Sequence, residues 1–255
     1  MKILALEFSS PQRSVSVAHD NGFSEVIETG VGTNAPLAMI EEALRQANLE
    51  REQIDCVAVG LGPGSYTGIR AAIALAQGWQ LARGVKLLGI SSAECMAAEA
   101  HADRIEGRVS VVIDAQREEF YLATYQISEA HSRTAGENIP GAPISSPSPP
   151  RSGGEGRVEV ALRAQREVIS AQYREIERLR IVPLEEIQQR SAVGNTLIGP
   201  EVTRWIPSGK LIFPTSAILA KLARNRTDFI SGDKLEPIYL RETKFVKAPP
   251  PRIVS

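Results

Sequence analysis

The residues of this chain that could do chemistry fall into four groups, and each would serve a different reaction. Metal chemistry would fall to the histidines, but His19, His101 and His131 are far apart and none has a second histidine at i+4 on a helix. A zinc or iron site needs several converging ligands, so no metal is expected. The two cysteines, Cys56 and Cys95, sit in apolar stretches without CxxC spacing. That pattern argues against a disulfide framework and fits a reducing compartment. A nucleophile would have to be Ser65, in Gly62-Pro63-Gly64-Ser65-Tyr66-Thr67-Gly68. This is not G-x-S-x-G, and Pro63 removes a donor that a nucleophile elbow would use. Ser65 and Thr67 are expected to hydrogen-bond the loop and cap the helix that follows. No catalytic residue is assigned. Two carboxylates complete the set: Glu7 ends the first apolar run, and Asp114 ends Val109–Ile113. They could flank a cleft, but the default for Asp114 is to pair with Arg117 or cap a turn.

The glycine loop leaves two readings open. Val57 to Leu61 reads as a buried strand, and an alanine-rich helix follows Gly68. Strand, glycine loop, helix is an order that points backbone N–H groups at an anion. Gly62, Gly64 and Gly68 would let a ligand approach closely. Yet no Gly-Lys-Ser/Thr is present, so this is not a P-loop NTPase. One reading is a tight turn. The other is a nucleotide or phosphate contact through Gly62, Gly64, Ser65, Thr67, Gly68 and Asp114, completed by a partner.

The elements that must position these residues can be read in order. Lys2–Phe8 is a short apolar strand; Ser14–Ala18 alternates polar and apolar and reads as half-exposed. Asn21-Gly22 signals a hairpin into Phe23–Ile27. Asn34 and Pro36 open a helix to about Asn48, and Asp55–Leu61 is the next strand. Thr67 caps a helix from Gly68 to about Arg83, with Gly84 ending it. Leu87–Ile90 is a strand, and Ser91-Ser92-Ala93-Glu94 reads as a capping box opening a third helix. Val109–Ile113 and Glu119–Gln126 begin a second round of strands. About Glu129–Gly156 is rich in proline, serine and glycine, a composition that disfavours a packed core. Val158–Arg180 reads as helix-compatible, Val182–Gln189 as a turn and short helix, and Asn195–Gly199 as a strand. Thr215 or Ser216 caps a helix through Arg224, and Pro237–Arg241 is a short extended segment. A meander followed by alternating strands and helices implies a mixed α/β sheet with helices packed on it.

The chain has 255 residues and a net charge of −1. It is long enough for one large domain or two small ones. Near-neutral charge gives no global drive toward nucleic acid or anionic membranes. No apolar run approaches the roughly 18 residues of a membrane helix, and the start is too short in apolar residues for a signal peptide. A cytoplasmic protein is expected.

GLGPGSYTGIR, between its strand and its alanine-rich helix, strongly resembles the TsaB (YeaZ) family. KILALEFSSPQRSVSVA is similar to that family's first hairpin, Ile113–Tyr121 to its second-domain strand motif, and Pro237–Arg241 to its C-terminal motif. The resemblance covers most of residues 1–127 and the last third thinly. It implies an α/β actin-like ATPase (ASKHA) fold: two related lobes with mixed sheets of a five-stranded type flanked by helices. The lobes would span about 1–105 and 106–214, with the helix near 215–226 packing back on the first and a tail over 227–255. It implies a non-catalytic subunit of the machinery that forms threonylcarbamoyladenosine at position 37 of tRNA. The partners would be a TsaD-type catalytic subunit and a TsaE-type ATPase, with tRNA reached through the complex and a homodimer open to the isolated chain. No cofactor is implied for the chain itself, save ATP or ADP at the interface with the catalytic partner. The catalytic relative carries a histidine-based metal site on the helix that here reads NAPLAMIEEALRQA, without histidine. The first two helices would form the partner face, through Met39, Ile40, Ala43, Ala71, Ala72 and Leu75.

Three departures stand out. Glu7-Phe8-Ser9 replaces the family's usual Asp-Thr-Ser, Asp114-Ala115-Gln116-Arg117 replaces Asp-Ala-Arg-Arg, and the Pro/Ser/Gly segment has no counterpart. Rival readings are a homodimeric binding module and a metallopeptidase- or kinase-like enzyme on the same fold. The kinase would need Asp114 or Glu7 as its catalytic carboxylate.

Overall fold

The computed structural model describes residues 1–20, 22–30, 35–128 and 173–240. The expectations placed on Asn21, Asn34, the insertion, 158–172 and 241–255 lie outside the described residues.

The chain builds the same sheet twice. The first holds β1 (Ile3–Glu7), β2 (Gln12–His19), β3 (Gly22–Thr29), β4 (Cys56–Gly60) and β5 (Lys86–Ile90), in the order β3-β2-β1-β4-β5. β1, β2 and β3 form an antiparallel meander, whereas β4 and β5 run parallel to β1. The parallel pairings require crossovers, supplied by α1 (Pro36–Gln46) and α2 (Tyr66–Arg83). The second holds β6 (Gly107–Asp114), β7 (Glu119–Ile127), β8 (Tyr173–Pro183), β9 (Thr196–Gly199) and β10 (Lys210–Leu211), in the order β8-β7-β6-β9-β10. Its meander is β6-β7-β8, and β9 and β10 are the parallel strands. The crossover into β9 is α4 (Leu184–Ala192). The one into β10 has shrunk to a single 3-10 turn at Val202–Arg204. This duplicated topology is the one that an actin-like fold implies.

One helix joins the lobes and another completes the first. α3 (Ser92–Ala102) turns Ala93, Met96, Ala97 and Ala100 toward the second sheet, and Cys95 and Ala98 toward the first. Its alanines let it lie buried on both sides. α5 (Ser216–Arg224) covers one face of the first sheet, with Ile218, Leu219 and Leu222 against Ile3, Ala5 and Ala58. α1 and α2 cover the opposite face, with Met39, Ile40, Ile69 and Ile73 against Leu4, Leu6, Val57 and Val59.

Four expectations are corrected. Ser14 and Ser16 of β2 are fully buried, because α5 covers the polar face of the strand. Ser14 Oγ accepts from the Ser216 N–H at 2.8 Å, and Ser16 Oγ donates to the Ser216 carbonyl at 2.8 Å. Residues 173–180 are strand, not helix: β8 pairs with β7 in register Phe120↔Val182 and Tyr121↔Ile181. The buried β7 needs partners for its backbone groups on that side, and that demand overrides the helix-forming Arg, Glu and Leu content. The cap of α2 is Ser65, whose Oγ accepts from the Gly68 N–H at 3.4 Å, and not Thr67. The capping box at α3 does not form. Ser91 makes no side-chain cap bond, and the Glu94 carboxylate instead takes both oxygens to Arg226 at 2.8 Å.

Candidate functional site

The glycine loop is built around a buried carboxyl. Glu7 closes β1 with no exposed surface. Its Oε1 accepts from the Ser9 N–H at 2.8 Å, and its Oε2 from Ser92 Oγ at 2.9 Å. Ser92 Oγ in turn accepts from the Gly62 N–H at 3.1 Å, while the Ser92 N–H donates to the Gly62 carbonyl at 2.8 Å. One carboxyl thus fixes the β1 turn, the start of the glycine loop and the first turn of α3. Burial pushes the Glu7 carboxyl above the usual 4.5, against the opposing effect of the Ser9 and Ser92 hydrogen bonds.

The glycines serve close approach within the chain. A Cβ on Gly64 would lie 2.1 Å from the Ser9 carbonyl oxygen, and one on Gly68 2.0 Å from that of Phe8. The Ser65 N–H donates to the Ser9 carbonyl at 2.7 Å. The N–H groups of Gly62, Ser65 and Gly68 are therefore taken by internal acceptors. The tight-turn reading accounts for Gly62 and Gly68, which the loop buries.

Beyond the loop lies a cleft of about 520 Å³ between the lobes. Of the residues singled out from the sequence, Gly64, Ser65 and Asp114 line it, whereas Gly62, Thr67 and Gly68 do not. Asp114 caps a turn: its Oδ1 accepts from the Gln116 N–H at 2.7 Å and its Oδ2 from Gln116 Nε2 at 3.2 Å. The turn it caps is strained. Gln116, Arg117 and Glu118 have φ of 65°, 61° and 61°, three consecutive non-glycine residues in the left-handed region.

The structure adds to the cleft three residues that the sequence did not single out as site residues. Arg13 of β2 lines it beside Ser9 and Ser10, and Tyr66 and Tyr239 form its side wall. The two tyrosine rings stack with centroids 5.2 Å apart and planes at 27°. The Ile238 N–H donates to the Leu61 carbonyl at 2.9 Å, which lays the C-terminal segment over the exit of β4. Burial pushes the Tyr239 hydroxyl up to about 12. Only the meeting of the two lobes puts Arg13, Asp114 and Tyr239 in one place.

The expected partner face is corrected in part. Met39, Ile40, Ala43 and Ala72 belong to the core beneath α1 and α2 and are not available to a partner. Ala71 and Leu75 are half-buried. The outward row of α2 continues through Ala74 and Gly78 to Leu81, which is 91% exposed. Leu37 of α1 is also exposed.

Comparison with known proteins finds likenesses in both sequence and structure. The family model described as "TsaD: tRNA N6-adenosine threonylcarbamoyltransferase" matches residues 34–140. The Escherichia coli protein named tRNA threonylcarbamoyladenosine biosynthesis protein TsaB is 33% identical over 131 residues, 51% of this chain and 57% of that protein. The Bacillus subtilis protein of the same name is 27% identical over 129 residues, 49% of this chain and 56% of that one. YeaZ from Pseudomonas aeruginosa superposes with a TM-score of 0.67 at 21% identity, over 94% of this chain and 99% of that one. The chain is similar to TsaB proteins over about half its length and shares the fold of the YeaZ structure. Its aligned region spans a little over half the length of these curated TsaB relatives. The fold of the YeaZ structure, by contrast, is matched along almost the whole chain. Among the described residues no group of three His, Cys, Asp or Glu side chains could hold a metal ion, and no helix is long and apolar enough to cross a membrane.

Proposed function

We propose that this chain is a non-catalytic, scaffolding and activating subunit of the cytoplasmic assembly that forms threonylcarbamoyladenosine at position 37 of tRNA. It holds a TsaD-type catalytic subunit in a competent state through the outer faces of α1 and α2. A TsaE-type ATPase joins the pair, an ATP or ADP sits at the interface with the catalytic subunit, and tRNA is engaged through the complex. The names of the relatives supply the pathway.

The observation that carries the mode of action is the outer face of α2. Between Arg70 and Arg83 this 18-residue helix has no charged residue. A helix facing only water normally carries charges on that side. Here the outward row is Ala71, Ala74, Leu75 and Gly78, and a Cβ on Gly78 would meet nothing within 4 Å. Small residues let a partner helix approach closely, and Leu37 and Leu81 extend the apolar edge. The absence of bond chemistry is supported by how the carboxylates are used: Glu7 is enclosed by Ser9 and Ser92, and Asp114 holds its own turn.

Ala74→Arg tests the reading. The substituted chain is expected to fold as the wild type does, because Ala74 is exposed, and to bind the TsaD-type subunit at least about tenfold more weakly, the loss of roughly 1.4 kcal/mol. Unchanged binding overturns the interface. A homodimer on the same face is the second reading that this apolar row permits. Light scattering with and without the catalytic subunit separates the two, since a homodimer that refuses to exchange would displace the complex. Met39→Asp is not an interface test; it buries a charge in the core and is expected to unfold the first lobe.

A further inference from the structure

An open sheet edge offers unpaired N–H and C=O groups to another strand unless it is short, bulged, covered or rich in exposed charge. Among the described residues three of the four edges have such a protection. β5 is covered by the chain after α5, where the Ile230 N–H donates to the Leu87 carbonyl at 3.0 Å. β10 is two residues long. β8 exposes Arg174, Glu175, Arg178 and Arg180 and shifts register twice against β7. β3 has none of these. It keeps register with β2 through all eight residues, holds no proline, lysine or arginine, and exposes Phe23 and Ile27. We propose that this edge is covered by the chain's own C-terminal segment, residues 243–248, which adds a sixth, antiparallel strand to the first sheet.

The segment lies outside the described residues, but the place from which it sets out does not. Tyr239 lines the cleft together with Gly30, the residue that follows β3. A chain leaving Leu240 therefore meets the C-terminal end of β3 first. Following the edge from there, it runs toward Gly22, antiparallel to β3. From Leu240 to Lys244 an extended chain reaches about 13 Å, enough to cross the mouth of a cleft of about 520 Å³.

The two sequences are complementary in that sense. β3 reads Glu25-Val26-Ile27-Glu28, and the segment reads Lys244-Phe245-Val246-Lys247. With Lys244 opposite Glu28, Phe245 falls opposite Ile27, Val246 opposite Val26 and Lys247 opposite Glu25. Both cations meet half-buried carboxylates, and both apolar residues meet apolar ones. Opposite charges and aromatic–β-branched pairs are the cross-strand neighbours that stabilise a sheet. A slip of one residue in either direction leaves both lysines opposite uncharged residues, so the charges fix the register. Pro249, Pro250 and Pro251 follow, and proline ends a strand just where β3 reaches Phe23. A second copy of β3 fits this edge less well: antiparallel pairing of Phe23 with Ile27 sets Glu25 of one copy against Glu25 of the other, and like charges directly opposite are destabilising.

Disulfide trapping in the full chain tests this. Residues directly opposite across a strand pair hold their Cβ atoms about 4.5–5.5 Å apart, close to the separation a disulfide spans. The native Cys56 and Cys95 are buried. Mild oxidation of dilute Ile27→Cys/Phe245→Cys is expected to close a bond within one chain in most molecules, read by peptide mass mapping. Leu37→Cys/Phe245→Cys, which uses an exposed apolar position on α1, is expected to close at least about tenfold less. Hydrogen exchange gives a second readout without cysteines. Lys244→Glu is expected to speed exchange of the outward amides of β3 by about tenfold, and Glu28→Lys combined with Lys244→Glu to restore the wild-type rate. The proposal is overturned if the Ile27/Phe245 pair does not close, if the control pair closes equally well, or if the bond joins two chains, which would give the edge to a second copy. It is overturned equally if Lys244→Glu leaves β3 exchange unchanged or if the charge swap fails to restore it.

Discussion

Glu7 shows how much a single side chain can hold here. Its carboxyl links the ends of three elements, and its burial raises the carboxyl above its usual range. A carboxyl raised above 4.5 binds more protons folded than unfolded between that value and its folded value. Stability must therefore fall as pH rises through this window and stay lower above it. Gln presents the same shape as the protonated acid without the titration. Glu7→Gln is expected to gain thermal stability relative to the wild type as pH rises from 4 to 8, by about 1.4 kcal/mol for each unit by which the carboxyl is raised. Melting curves across that range check it, and a pH-independent difference would show that Glu7 is not the group responsible. The glycines around it are equally constrained. Gly68→Ala would place a methyl group 2.0 Å from the Phe8 carbonyl oxygen, and a loss of about 1–3 kcal/mol in denaturant unfolding is expected from overpacking.

At the scale of elements, α2 depends on its first turn. Ser65 Oγ accepts from the Gly68 N–H, while Thr67 lies exposed. Ser65→Ala is expected to lower stability by about 1 kcal/mol, the usual worth of a cap. Thr67→Ala is expected to stay within about 0.5 kcal/mol of the wild type. Equal effects in urea unfolding would reverse the assignment. The neighbouring β8 makes the opposite point. Its sequence is rich in Arg and Glu, and it is an edge strand where charge protects against edge-to-edge pairing. Those charges are used across elements: Arg180 pairs with Glu186 of α4, and Arg190 of α4 reaches back to Glu177. The segment's composition suits a helix, but β7 supplies a backbone partner that no window of local sequence reveals.

For the whole molecule, the last helix among the described residues completes the lobe that begins the chain. α5 buries the face formed by Ile3, Ala5 and Ala58, and its N-terminus is held by Ser14 and by Glu25, whose Oε1 accepts from Ser216 Oγ and the Ala217 N–H at 3.0 Å. A chain cut after Pro214 is expected to lose protection of the β1 and β4 amides in hydrogen exchange. Supplying 215–240 as a separate peptide is expected to restore it. Protection that survives the cut would show that the first lobe stands without α5.

The sequence alone determined the alternation of strands and helices, the hairpin at the start, the tight glycine loop and the end of α2 at Gly84. Each is a local matter of apolar periodicity, turn chemistry and the conformational freedom of glycine. The family resemblance was legible for the same reason, since its motif is one continuous stretch around that loop. Tertiary structure decided what the loop and its helices face. Met39 and Ile40 have the pattern of an exposed apolar row as readily as that of a core row, and only the position of the sheet makes them core. Ser14 and Ser16 look like a solvent face until α5 arrives from 200 residues away. The cleft belongs wholly to this second class: Arg13, Tyr66, Asp114 and Tyr239 are scattered along the chain, and their meeting depends on two lobes closing on each other.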